Sequence, residues 1–424
     1  MSSLFDESRD RPHASPAEET PQPAPVNVRY QDVLMREAYE ALREGKVRQA
    51  ATIYEDLLKR FSGSLDEKEK GLLSSEAAGA YYAMGDYDGA QQHAERAIQF
   101  NGGDDQAHTV LGRIAVSKFN FARAREHFLK IGTTNPARYL GLCLVAVKLR
   151  HTTEAANYLR EGSAYFSRRD PEYGVLSAYV QLLQGQAKEA VMAARQLLST
   201  LPKDIFLLLL VGEIFMTGGQ YGEARAVADK VKALAPDNDQ LYALKANAEY
   251  SEENWTVAES LAQESLRLNP QNAYAQTVMM KCLVRKGDYL GAEELGKDIL
   301  RRAPEYALGH ANLGDVYFVM GQYDLARLEY EQTEELMDSL TKGARLRKAR
   351  MQFIDGNYVE AAGLLTELIE GYHTYYDDAM CDLLLCYDRL DNKEGVESVL
   401  DKMELRKSFY QRTQQLMQKF VDAA

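Results

Sequence analysis

An alanine returns every 34 residues through the middle of the chain, at Ala190, Ala224, Ala258, Ala292 and Ala326. The signal begins earlier with looser spacing, at Ala50, Ala90, Ala124 and Ala155, and runs on to Ala361. A helix breaker and an aromatic precede most of these alanines, as in Gly85-Asp86-Tyr87, Gly219-Gln220-Tyr221, Gly287-Asp288-Tyr289, Gly321-Gln322-Tyr323 and Gly356-Asn357-Tyr358. Pro202, Pro236, Pro270 and Pro304 close the units at the same period. Such a period marks stacked supersecondary units, none of which can bury its apolar face alone. Recognition rather than chemistry is the default expectation.

Each unit reads as two helices. In the sixth, residues 204–217 form helix A, Gly218 and Gly219 the turn, and residues 220–235 helix B, closed by Pro236. Leu208, Val211 and Phe215 share one face and fill the space between A and B. Gly212, Ala224 and Ala228 are small where the two helices must approach, and the proline stops helix B. This joint recurrence of small, large and breaker positions resembles the tetratricopeptide repeat family. The resemblance implies an all-α fold, a right-handed superhelical solenoid of helix-turn-helix repeats. It divides the chain into about eleven repeats over 29–407 and a capping helix over 408–424. Ahead of them, residues 1–28 hold five prolines and few apolar side chains, the composition of a disordered tail.

The departures predict local differences. The longer step from Ala50 to Ala90 calls for a longer A helix or loop near Gly63 to Gly71. The shorter step from Ala124 to Ala155 calls for a tight turn at Arg150-His151-Thr152, where glycine is missing. Val396 replaces the alanine of the eleventh unit.

A net charge of −13 disfavours nucleic acid as the main ligand, because phosphate binding needs a basic face. The longest apolar run, Ile205 to Val211, is far short of the ~18 residues of a membrane helix, so no membrane insertion is expected. Residues 1–28 lack an apolar leader core and carry Asp6, Glu7 and Asp10 near the start. Cys143, Cys282, Cys381 and Cys386 are scattered through apolar stretches and read as buried free thiols of a reducing compartment. A cytoplasmic location is the expectation.

No motif carries chemistry. Gly291 to Lys297 matches most of a phosphate-binding loop, but Asp298 replaces the Ser or Thr, and Gly296 falls at a small packing position of helix B. The seven histidines form no metal set, and Cys381 and Cys386 lack a second pair. No nucleophile-base arrangement stands out, so no catalytic residue, cofactor or metal is expected.

Two surface features point to a partner. In the resembled family the A helices line a concave face. The corresponding positions of units four to six are apolar: Leu140, Leu144 and Val147, then Val175, Tyr179 and Leu182, then Phe206, Leu209 and Met216. They read either as an apolar groove or as helices buried on both faces. The second feature is a basic run, Lys342, Arg345, Arg347, Lys348 and Arg350. Some family members clamp a peptide carboxylate with Lys, Asn and Arg from three A helices. Asn312 and Arg347 match that set, whereas Thr277, Lys281 and Gly343 depart from it. Two of five positions do not make a clamp. The run reads as a face for an acidic segment or as charge neutralised by Glu334, Glu335 and Asp338. The resulting expectation is a non-catalytic scaffold or adaptor holding a protein or peptide segment in the concave groove. The alternatives are a self-assembling repeat protein and an accessory subunit that positions a separate enzyme.

Overall fold

The computed structural model describes residues 29–167, 170–201, 203–337, 343–370, 376–406 and 410–421. The expected tail over 1–28, Pro202 and Lys342 lie outside them. Among the described residues, all regular structure is helical. Eleven helix pairs follow one another, from Tyr30–Arg43 with Val47–Arg60 to Tyr376–Arg389 with Lys393–Arg406. A terminal helix, Gln411–Val421, follows. The sixth pair is Ile205–Thr217 and Tyr221–Leu234. The extra residues of unit two lengthen its A helix, Glu67–Met84. A capping box starts that helix: Asp66 Oδ1 accepts from the Glu69 amide at 2.7 Å, and Glu69 Oε2 from the Asp66 amide at 2.9 Å.

Every A-to-B turn places one residue in the left-handed backbone region. Seven of these residues are glycines, while Phe119, Arg150, Glu253 and Asp391 fill the other four turns. The turn forces that conformation. The amide after the left-handed residue reaches back five residues, as His151 does to Ala146 O at 2.9 Å. A side chain there costs about 1 kcal/mol, which the closed turn offsets.

Small residues admit wedges between helices. A Cβ on Gly112 would sit 2.5 Å from the Phe128 ring and one on Gly141 2.2 Å from it, so this ring fills the space between units three and four. Gly296 has the same role, since a Cβ there would lie 2.9 Å from Leu313 Cδ1. Its place in the phosphate-loop pattern is therefore a packing position.

The solenoid winds back on itself about every five units. Tyr87 donates to Asp239 across 152 positions of sequence, Arg125 reaches Glu305 across 180, and His151 Nε2 meets Leu336 O across 185. Phe119 of unit three packs edge-on to Tyr274 of unit eight and Tyr306 of unit nine, with centroids 5.6 and 4.8 Å apart. The inner faces of units three to nine thus close around one central core. This corrects the picture of an open groove. Leu140, Leu144 and Val175 are 3%, 1% and 0% exposed inside that core. Phe206 lies beneath the Arg113 guanidinium, 4.0 Å from its ring centroid. Leu140, Leu144 and Val175 are buried where the A helices of neighbouring units pack on one another.

Candidate binding cavity

The inner face of units four to ten carries a partly open cavity of about 340 Å³. Its apolar wall holds Val147, Tyr179, Leu182, Leu209 and Met216. Its polar wall holds Lys148, Arg150, Glu213, Lys281, Asn312 and Arg347. The structure therefore joins part of each sequence-derived surface in one site. Leu140, Leu144, Val175 and Phe206 stand outside the lining, as do Arg345 and Arg350.

The charges of the wall fall into two groups. Lys148 Nζ donates to Glu213 Oε1 at 2.6 Å, and Tyr179 donates to the same carboxylate at 3.3 Å. Burial opposes the charge on Lys148, but Glu213 and the neighbouring phenols outweigh it and raise its pKa. Burial, reinforced by Glu213, holds the Tyr179 and Tyr274 phenols well above their ordinary range, so both stay neutral. Arg347 donates to Asp315 Oδ2 at 2.8 Å. These cations are neutralised in place.

Arg150 and Lys281 are different. Both are half-buried, and among the described residues neither has a carboxylate within 4.0 Å. Lys281 Nζ stands 5.6 Å from the centre of the Tyr250 ring, a weakly held position for an ammonium. Asn312, only 9% exposed, makes no side-chain hydrogen bond to the described residues. An amide with no hydrogen bond to the described residues, and two half-buried cations with no carboxylate among them within 4.0 Å, favour a ligand that brings negative charge and hydrogen-bond acceptors.

The basic run resolves differently from the expectation. Arg345 is exposed and pairs with Glu367 at 3.2 Å. Arg350 is 1% exposed and reaches Asp315 at 2.9 Å, Asp378 at 3.3 Å and Asp382 at 2.6 Å. Its neutralising carboxylates come from units nine and eleven, not from Glu334 and Glu335. Arg347 and Arg350 are thus interior ions, and the run is no continuous basic face. Sequence reasoning missed Arg150, Lys148 and Glu213. The missing glycine at the fourth turn marked Arg150's backbone, but its side chain's place depends on the returning superhelix.

All four cysteines are buried and free. Among the described residues no group of three or more His, Cys, Asp or Glu is placed to hold a metal, and no helix is long and apolar enough to cross a membrane.

The tetratricopeptide repeat profile matches residues 76–136, 243–307 and 311–373. Cellulose synthase 2 operon protein C of Komagataeibacter xylinus is 25% identical over 263 residues, 56% of this chain and 20% of that protein. The chain thus spans about a fifth of the relative's length. The Cut9–Hcn1 hetero-tetramer of the APC/C superposes with a TM-score of 0.50 at 12% identity, covering 88% of this chain and 86% of that one. Yeast Tom70 covers 93% of this chain and 95% of its own at 14% identity, with a TM-score of 0.36.

Proposed function

We propose that this chain, which belongs to the tetratricopeptide repeat family, is a non-catalytic protein-interaction scaffold that seats an acidic segment of a partner in its inner cavity. The observation that carries the reading is that Arg150 and Lys281, without carboxylate partners among the described residues, line the same cavity as Asn312, whose amide makes no hydrogen bond to those residues. In a chain of net charge −13 these groups form a local exception that selects for anions. The apolar wall of Leu182, Leu209 and Met216 would take the segment's aliphatic part. Only the end of a chain or one or two side chains fit about 340 Å³.

The test uses two fluorescein-labelled probes, pentaglutamate and pentaglutamine, titrated against the full chain. Pentaglutamate should bind with an affinity that falls as salt rises, and Lys281→Glu or Arg150→Asn should weaken it at least about tenfold. Asparagine is chosen at 150 because it tolerates the left-handed backbone. Equal binding of both probes, or binding unchanged in either variant, would contradict the reading. The likeness to an operon protein of cellulose synthesis is compatible with a scaffold beside an enzyme, the accessory role considered from sequence.

A further inference from the structure

The terminal helix does more than cover the last unit. A cap placed at the end of the stack would touch only its neighbours. This helix packs against both helices of unit eleven and also against Ala273–Lys286, the A helix of unit eight. Gln411 lies so close to the unit-eight turn that a Cβ on Gly287 would stand 2.6 Å from its amide oxygen. Tyr410, 1% exposed, donates to Asp378 at 3.2 Å and lies 4.9 Å from the Arg285 guanidinium. It also lines a second, smaller cavity that shares Tyr250, Lys281 and Asn312 with the first. Tyr410 and helix Gln411–Val421 therefore occupy the inner face directly beside the proposed ligand cavity.

Its attachment is polar at one end and loose at the other. Arg412 is 6% exposed and donates to Asp382 Oδ1 at 2.6 Å, while its Nη1 has no hydrogen-bond acceptor among the described residues and stands 3.9 Å from Asp378. Thr413 meets the Cys381 thiol at 3.4 Å. Beyond that turn Leu416, Met417 and Phe420 are only half-buried against the second core cluster, and Gln414, Gln415, Gln418 and Lys419 are exposed. A buried arginine with an unmatched donor is a poor source of net stability, because desolvation offsets much of its attraction. The surface beneath holds the carboxylates of Asp378 and Asp382 with apolar groups around them.

We propose that the terminal helix is a removable occupant of this inner face, and that the face it covers receives an amphipathic helix carrying an arginine at the place of Arg412. The inference goes beyond the acidic-segment reading and stands independently of it. A second helix of this chemistry, from a partner, would exchange with the terminal helix by making the same contacts to Asp378 and Asp382. That exchange would open the Tyr410 side of the inner face.

The experiment uses the full chain and a labelled peptide of residues 408–424. In the wild type the peptide competes with the attached helix, so anisotropy should register weak binding. Arg412→Ala in the chain loosens the resident helix, and the same peptide should then bind at least tenfold more tightly. Adding Asp382→Asn to that chain should abolish the gain. Equal affinity for wild type and Arg412→Ala would overturn the proposal. Hydrogen exchange separates displacement from misfolding: Arg412→Ala should lose protection only over 411–421. Loss across units ten and eleven would make the helix an integral part of the stack and overturn it. A wild-type dimer that Arg412→Ala dissociates would overturn it in favour of helix exchange between copies.

Discussion

His310 Nδ1 lies 2.6 Å from Glu329 Oε2, while its Nε2 lies 2.8 Å from the Pro304 carbonyl oxygen. Both ring nitrogens face acceptors, a setting that favours the doubly protonated ring. Unit three places His108 at the equivalent position, also opposite a residue 19 further on, but that residue is His127, with the two Nδ1 atoms 3.1 Å apart. His108 Nε2 faces the Gly102 carbonyl, so its Nδ1 accepts and His127 donates. The same position thus favours the protonated ring at His310 in unit nine and opposes it at His127 in unit three.

The two sites should respond to pH with opposite signs. Burial, with repulsion from His108, lowers the His127 pKa to about 4. Between the unfolded value near 6.5 and about 4, the unfolded chain binds a proton that the folded chain refuses, so stability is lost as pH falls through this window. For His310, burial opposes the charge, but Glu329 and the Pro304 carbonyl raise the pKa. Its contribution is full below the unfolded value and is lost as pH rises through the folded one. Urea unfolding at about pH 5 and about pH 7.5 checks both. His127→Gln should lessen the acid loss, and Glu329→Gln should cost about 1–2 kcal/mol at the lower pH and less at the higher.

Gly141→Ala should destabilise by ~1–3 kcal/mol, because the new methyl would overlap the Phe128 ring on which units three and four close. Phe128→Leu in the same chain should recover part of the loss by making room. Thermal unfolding of the two variants measures this, and additive losses would place the strain elsewhere.

Arginines of one sequence run should differ in their worth. Arg350→Ala removes a buried guanidinium shared by Asp315, Asp378 and Asp382, leaves the 2% exposed Asp382 with Arg412 alone, and should cost ~3–5 kcal/mol. Arg345→Ala removes only a surface pair with Glu367 and should cost less than ~1 kcal/mol. Chemical denaturation of both variants gives the comparison, and similar costs would refute the assignment of Arg350 to the interior.

Phe206→Ala with Leu209→Ala should lower the melting temperature sharply. Leu209 is 5% exposed, and Phe206 lies under Arg113, so the pair should cost several kcal/mol, with ~2–5 for each large-to-small change. A melting curve close to wild type would show that this face is open to solvent.

The repeat was legible because its causes are local. Gly212, Ala224 and Pro236 constrain helices within one unit, and their recurrence is visible without knowing how units stack. The long second A helix was legible for the same reason. The short step from Ala124 to Ala155 was misplaced: it comes from a ten-residue B helix in unit three, Phe121–Lys130, while the fourth turn closes as the Gly85 and Gly287 turns do. The site was only partly legible. Tyr179, Leu209, Lys281 and Asn312 were singled out and do line the cavity. Arg350 was read as surface charge because Asp382, which buries it, lies 32 residues away in another unit. Leu144 and Val175 were ambiguous because groove and core impose the same apolar spacing. Only the packing of each unit on its neighbours separates the two, and the resulting curvature is the sum of many small rotations between units.

The most direct test of an inner binding site is site-specific photo-crosslinking. Benzoylphenylalanine is placed at Met216, on the cavity wall, and separately at Val359, which is 73% exposed on a B helix. Each full-length chain is irradiated in extract of its source cells, and the crosslinked peptides are sequenced by mass spectrometry. The account predicts an adduct with one acidic segment at Met216, lost when Lys281→Glu is added, and no matching adduct at Val359. Adducts at Val359 with none at Met216, or a Met216 adduct indifferent to Lys281→Glu, would contradict it.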